Sequence, residues 1–257
     1  MRIDAYLNEK KLFPSRTKAA EAISKNYVKV NGKIVTKPSF EVNDDSVIEV
    51  IKDNDFVSNG GYKLEKAFND FALSAENLVF ADVGASTGGF TDCLIKHGAK
   101  RVYALDVGES QLANNLKIND KVVVIDNFNA RNITEKTFGG KVDGIVCDVS
   151  FISLTYVLKP FSDALKDDGF AVVLLKPQFE CGKKELNKNG IVTSFKAREE
   201  CALKIKEFAL SVGFIPAGFT VAPVRTGKNV EYLFLLKKSG DYVISDENIR
   251  STVKNNA

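Results

Sequence analysis

Five ionisable side chains in this 257-residue chain stand at the ends of apolar runs: Asp82, Asp106, Asp126, Asp148 and Lys176. The first opens "DVGASTGGFTD" (82–92), in which Gly84, Ser86, Gly88, Gly89 and Phe90 lead from an apolar run into a helical pattern. So bare a backbone at such a turn lets a ligand approach main-chain N–H groups at a helix N-terminus. Asp106 offers a carboxylate that can accept hydrogen bonds from two neighbouring hydroxyls, and Asp126 and Asn127 offer further polar groups. Lys176 follows "FAVVLL" and is expected to be partly desolvated; with a second cation nearby, for which Lys63 is the candidate, it suits a general base. Glu231 is a charge partner for either lysine. Each residue also has a plain reading: glycine in a tight turn, aspartate as a helix cap, lysine with its stem covering a strand end.

The glycine spacing decides between ligands. A dinucleotide asks for G-x-G-x-x-G, and "GASTGG" lacks the second glycine. The pattern is that of an S-adenosylmethionine loop, with Gly84, Gly88 and Gly89 facing the methionine end and Asp106 the ribose hydroxyls. A metal site is not expected. Cys93, Cys147, Cys181 and Cys201 show no C-x-x-C spacing, and His97, the only histidine, reads as a partly exposed helix residue before Gly98.

To gather these groups the chain needs a parallel sheet. The runs "LVFADVG", "RVYALDVG", "KVVVIDN", "VDGIVCDVS", "GFAVVLLKPQ" and "VEYLFLLKK" alternate with helical stretches, which predicts a doubly wound α/β sheet. Ligands of such sheets bind beyond the carboxyl ends of the strands. Glu231 begins its run, so it reaches that edge only if the final strand is antiparallel. Residues 62–240 form this domain, 54–61 with Gly60-Gly61 a linker, and 241–257 a polar tail. Residues 1–53 form a small α+β module: helices in "RIDAYLNEKKL" and "SRTKAAEAISKN", the second capped by Ser15, then a hairpin turning at Asn31-Gly32 and a further strand in "FEVNDDSVIEVI". Residues 1–37 hold nine Lys/Arg against Asp4, Glu9 and Glu21, whereas the whole chain carries only +3. A basic module on an acidic body fits nucleic-acid binding, and a solvated basic face would look the same. With no apolar leader after Met1-Arg2 and no run long enough for a bilayer, the protein reads as cytoplasmic.

The motifs carry a family resemblance. "RIDAYL", "SRTKAAEAI" and "VKVNGKIVTKPS" resemble the S4 RNA-binding domain, with Asn26 where glycine is usual; the resemblance implies an RNA-facing set of Arg2, Arg16, Lys18, Lys25 and Lys29. "VSNGGYKLEKA", "DVGASTGGFTD", "ALDVGESQL", "CDVSFISL", "LKPQFE" and "TGKNVEYLFLL" resemble FtsJ-like methyltransferases with a Rossmann-like sheet. The whole chain is similar to the TlyA (hemolysin A) family of rRNA 2′-O-methyltransferases, with Asn59 where arginine is common. That likeness implies a catalytic tetrad of Lys63, Asp148, Lys176 and Glu231, with Lys176 as base. It also implies S-adenosylmethionine as cofactor and rRNA within ribosomal subunits as partner: a cytidine of large-subunit 23S rRNA and, in some members, of 16S rRNA as well. A secreted or membrane-active hemolysin and an inactive ribosome assembly factor are the competing readings. The filled tetrad argues against the second.

Overall fold

The computed structural model describes residues 1–257 apart from 14, 25–26, 44, 51–55, 110, 224–226 and 256–257. Two compact units emerge, Met1–Asp55 and Phe56–Ala257.

In the first unit, helix α1 (Ile3–Glu9) and helix α2 (Arg16–Ser24) cover a sheet of β1 (Val28–Val30), β2 (Lys33–Ile34) and β3 (Ile48–Val50), in the order β2-β1-β3. Ser15 caps α2 as expected, its Oγ accepting from the Lys18 N–H at 3.2 Å. The turn pairs Val30 with Lys33, and both Asn31 and Gly32 take positive φ, which a two-residue hairpin requires. Ile3, Leu7, Ile23 and Val28 form the centre of its core.

The second unit opens with α3 (Gly60–Asp70). Then follow β4 (Val79–Val83), α4 (Gly89–Lys96), β5 (Arg101–Leu105), α5 (Asn114–Lys117), β6 (Val122–Ile125), β7 (Val142–Cys147), α6 (Leu158–Ala164), β8 (Leu165–Leu175), α7 (Pro177–Glu180), α8 (Phe195–Ser211), β9 (Ile215–Val221), β10 (Tyr232–Lys237) and α9 (Asp246–Asn255). The strands lie in the order β6-β5-β4-β7-β8-β10-β9, with β10 antiparallel to both neighbours. Side chains alternate between the two faces. Ala171, Val173 and Leu175 of β8 join the core under α6, α8 and α9, while Val172 and Leu174 join the core under α3 and α4. Two buried faces explain why these strands read as near-continuous apolar runs.

Two expectations need correction, and one strand was not anticipated. Gly60 and Gly61 are not linker but the first turn of α3. A Cβ on Gly61 would lie 2.1 Å from the Phe56 ring, so the glycine makes room for packing. Strand β9 carried no clear signal, because "IPAGFTV" includes Pro216 beside a register shift and Gly218 under Phe71; both are tolerated at a sheet edge. The polar tail expected over 241–257 carries a packed helix up to Asn255. Its helix α9 buries Ile249 and Val253, four residues apart on one face, and Arg250 pairs with Glu199 of α8 at 3.0 Å. Removing a fully buried isoleucine side chain costs about 2–5 kcal/mol. Ile249→Ala should therefore lower the urea unfolding free energy by about 2–4 kcal/mol, and an unchanged midpoint would show that α9 adds nothing to the fold.

Candidate active site

The strand order reverses between β4 and β7, and the carboxyl ends of these two strands carry Gly84 and Asp148. Such a switch point opens a crevice. Gly84 has φ +82°, and a Cβ there would lie 2.8 Å from the Asp148 carbonyl oxygen. Only glycine lets the two strand ends approach this closely. Beyond them is a cavity of about 500 Å3 whose wall includes Gly84, Ser86, Asp106, Gln111, Asp148 and Ser150, with Leu105, Val107, Phe128 and Ile152 on its apolar side.

Asp106 is oriented by backbone: its Oδ2 accepts from the Ser86 N–H and its Oδ1 from the Gly108 N–H, both at 2.8 Å. Each oxygen keeps a further lone pair for a ligand hydroxyl. Asp126 and Asn127 do not line the cavity. Asn127 turns the chain at φ +56°, its N–H bound to Gly108 O, and so delivers Phe128 and Asn129 to the wall instead. These two, Gln111, Arg131 and Phe151 were not singled out from the sequence, since they lie between the regular strands and helices where no periodic pattern marks them.

Asp82, Gly88, Gly89 and Phe90 lie beneath the loop rather than on the cavity wall. A Cβ on Gly88 would strike Leu116 at 2.4 Å, and one on Gly89 would lie 2.8 Å from the Gly61 backbone. The glycine pair therefore serves the packing of α4 against α3 and α5. Phe90 is buried in the core under those helices. Asp82 is fully buried, its Oδ2 accepting from Thr91 Oγ1 at 2.6 Å while its Oδ1 has no hydrogen-bond partner among the described residues.

Four charged groups converge beside the crevice. Lys176 directly follows β8 and is 8% exposed; its Nζ lies 2.6 Å from Asp148 Oδ1 and donates to Ser150 Oγ at 2.8 Å. Lys63, on the second turn of α3, contacts Asp148 Oδ2 at 3.3 Å and Glu231 Oε2 at 2.7 Å. The antiparallel register of β10, Tyr232 opposite Leu175, brings Glu231 to the same edge as Lys176. A second, polar cavity of about 400 Å3 opens on Lys63, Glu231, Gln178, Asn229 and Lys228. The network thus stands between two cavities, with Asp148 on the wall of one and Lys63 and Glu231 on the wall of the other.

In the first unit, Arg2 and Arg16 converge on Asp4, at 3.0 and 3.1 Å from its Oδ2. Hydrogen bonding to Arg2 holds the Asp4 carboxyl below the usual range, outweighing its burial. Lys18 pairs with Glu21 at 2.9 Å, and Lys29 sits on β1 opposite Glu49. Lys25 and Asn26 lie outside the described residues.

Burial pushes Asp82 up to about 7, against the opposing Thr91 hydrogen bonds. A carboxyl raised in the folded state favours folding below its unfolded value and loses that contribution as pH climbs through the folded one. The stability of the ligand-free protein should accordingly fall between about pH 4 and about pH 7 by up to about 4 kcal/mol from this group. Asp82→Asn keeps the acceptor for Thr91 and should flatten that part of the profile in urea titrations; an equally steep profile would assign the slope to other groups.

The comparisons with known proteins agree with this geometry. Residues 56–238 match the FtsJ-like methyltransferase model, and residues 1–48 match the S4 domain. Hemolysin A of Brachyspira hyodysenteriae is 42% identical over 235 residues, spanning 91% of this chain and 98% of that protein. The 16S/23S rRNA (cytidine-2′-O)-methyltransferase TlyA of Mycobacterium tuberculosis is 37% identical over 255 residues, 98% of this chain and 95% of its own. A solved structure from Streptococcus thermophilus superposes with a TM-score of 0.75 at 35% identity, covering 99% of this chain and 94% of the other. By these matches the chain belongs to the FtsJ-like methyltransferases, in the S4-bearing TlyA (hemolysin A) family.

Proposed function

We propose that this protein transfers a methyl group from S-adenosylmethionine to the ribose 2′-OH of a cytidine in rRNA, in 23S and, as for the mycobacterial relative, 16S rRNA, acting in the cytoplasm on ribosomal subunits. The observation that carries the reading is the Lys63–Asp148–Lys176–Glu231 network between two cavities. The larger cavity fits the cofactor: Asp106 is held ready for two ribose hydroxyls, Leu105, Val107 and Phe128 offer an apolar wall to the adenine, and Gly84 leaves the crevice open beside Asp148. The polar cavity on Lys63 and Glu231 takes the acceptor nucleotide.

When bound, the cofactor supplies a methyl on a positively charged sulfur, so transfer needs little beyond alignment and removal of one proton. Lys176, as the amine, would take the 2′-OH proton at Nζ as the ribose oxygen bonds the methyl carbon and the carbon–sulfur bond gives its electron pair to sulfur. Asp148 Oδ1 and Ser150 Oγ fix the direction of Nζ, and Asp148 stabilises the ammonium that results. Lys63, bridging Asp148 and Glu231, holds Asp148 in place, and the four groups sum to zero once Lys176 carries the proton. The S4 unit supplies RNA affinity through Arg2 and Arg16, whose shared carboxylate aims both guanidinium groups. Among the described residues no helix is long and apolar enough to cross a membrane.

Two experiments test this. Arginine keeps the charge but cannot give up a proton, so Lys176→Arg should bind cofactor and RNA normally and lose about 10²–10⁴-fold in single-turnover transfer of labelled methyl to rRNA. Near-native transfer would reduce Lys176 to a positioning charge. For the module, Arg16→Ala leaves Arg2 on Asp4 and should weaken RNA binding across sequences, lowering the slope of log affinity against log salt by about one. An unchanged slope would remove Arg16 from the RNA interface.

A further inference from the structure

The face of α3 and α4 away from the tetrad holds a second group of chemically active side chains. Cys93 on α4 and His97, the residue that caps its C-terminus, are four residues apart and fall on the same side of the helix. Glu65, on α3, reaches both: its Oε2 lies 2.6 Å from His97 Nε2 and 3.7 Å from Cys93 Sγ. One ligand atom from each of the three falls within 4.8 Å of the others. From these positions we infer that Glu65, Cys93 and His97 form a binding site for a divalent cation of the zinc class, joining α3 to α4.

The chemistry and the geometry agree. Thiolate, imidazole and carboxylate together suit a borderline ion such as Zn2+ or Co2+ rather than Mg2+ or Ca2+, which take oxygen ligands. Bond lengths of about 2.0–2.3 Å around a tetrahedral ion place ligand atoms roughly 3–4 Å apart, so small rotations of Glu65 and His97 complete the site. Both have that freedom, with side chains 35% and 30% exposed, and they provide the route for entry. Cys93 is fully buried and supplies the fixed corner, while the Phe68 ring packs on the imidazole at 5.0 Å and limits its orientation. A bound ion takes the place of the hydrogen between Glu65 and His97 and of the thiol proton, and leaves a fourth position to water. The thiol is held strongly protonated by burial and by the Glu65 carboxylate, a cost that a cation in contact with all three groups removes.

The consequence reaches the proposed chemistry only indirectly. Glu65 is two residues from Lys63, and α4 begins where the loop from Gly84 ends. An ion here would restrain the helix that carries Lys63 without touching the crevice.

Titrating the full-length chain with Co2+ tests the site through a readout independent of methyl transfer. One equivalent should bind and produce the near-ultraviolet sulfur-to-cobalt absorption of a single thiolate ligand. Cys93→Ser should abolish that band, His97→Gln and Glu65→Gln should each weaken binding at least about tenfold, and Cys181→Ser, at the half-exposed thiol, should leave it intact. The proposal is overturned if wild-type protein gives no such band, or if the band survives Cys93→Ser and disappears with Cys181→Ser. Should Cys93→Ser fail to fold by circular dichroism, unchanged affinity in both the His97 and Glu65 variants would overturn it equally.

Discussion

Asp148 is the residue on which the rest of the crevice depends, because its backbone and its side chain impose separate constraints at one point. Its carbonyl oxygen stands so close to Gly84 that no side chain fits between them, which sets the opening beyond β4. Its carboxylate divides between Lys176 and Lys63, which arrive from the end of β8 and from α3. The floor of the larger cavity and the position of the lysine amine are thus registered to the same residue. Movement of β7 relative to β4 would displace both together.

Such a network is costly to assemble and costly to break. Removing one partner of a buried ion pair leaves an uncompensated charge, typically at about 3–5 kcal/mol. The fold offsets this by fixing the surrounding strands on both faces: Tyr232 and Phe234 pack into one core while Leu233 packs into the other, so β10 cannot slip by a residue without moving Glu231 away from Lys63. Loss of activity in an Asp148 or Glu231 variant would therefore mix folding with chemistry. Lys176→Arg is cleaner because it retains the charge that Asp148 requires.

The sheet and its cleft were legible in the sequence from strand ends, where an apolar run stops at a charged residue, whereas Lys63 lies on α3 and its grouping with the others came from the family resemblance. Asp82, Asp106, Asp148 and Lys176 all stand at such ends, and the antiparallel condition placed on Glu231 is met by β10. Glycine was legible as a need for bareness but not for its cause. At Gly84 the neighbour is the partner strand, and at Gly88 and Gly89 it is the packing of helices, none of which local pattern records. Phe128, Asn129 and Arg131 reach the cavity through a turn at Asn127, a matter of φ rather than residue type. Helix α9 was obscured by composition: two buried residues, Ile249 and Val253, hold a segment whose other side chains are nearly all polar.

The two units use one physical device to different ends. In each, a largely buried aspartate gathers two cations: Asp4 takes Arg2 and Arg16, and Asp148 takes Lys63 and Lys176. What differs is the exposure of the cations. The side chains of Arg2 and Arg16 are 52% and 56% exposed, so their charge faces solvent with its direction already set, and an anion such as a phosphate meets donors that have lost part of their conformational freedom. Those of Lys63 and Lys176 are 19% and 10% exposed, and Glu231 supplies a second carboxylate, so the charges balance internally and little field reaches bulk water. Open pairing of the first kind favours binding a polyanion from solution. Closed pairing of the second kind favours moving a proton between fixed groups, since the low-dielectric surroundings make each small displacement of charge count for more than it would in water.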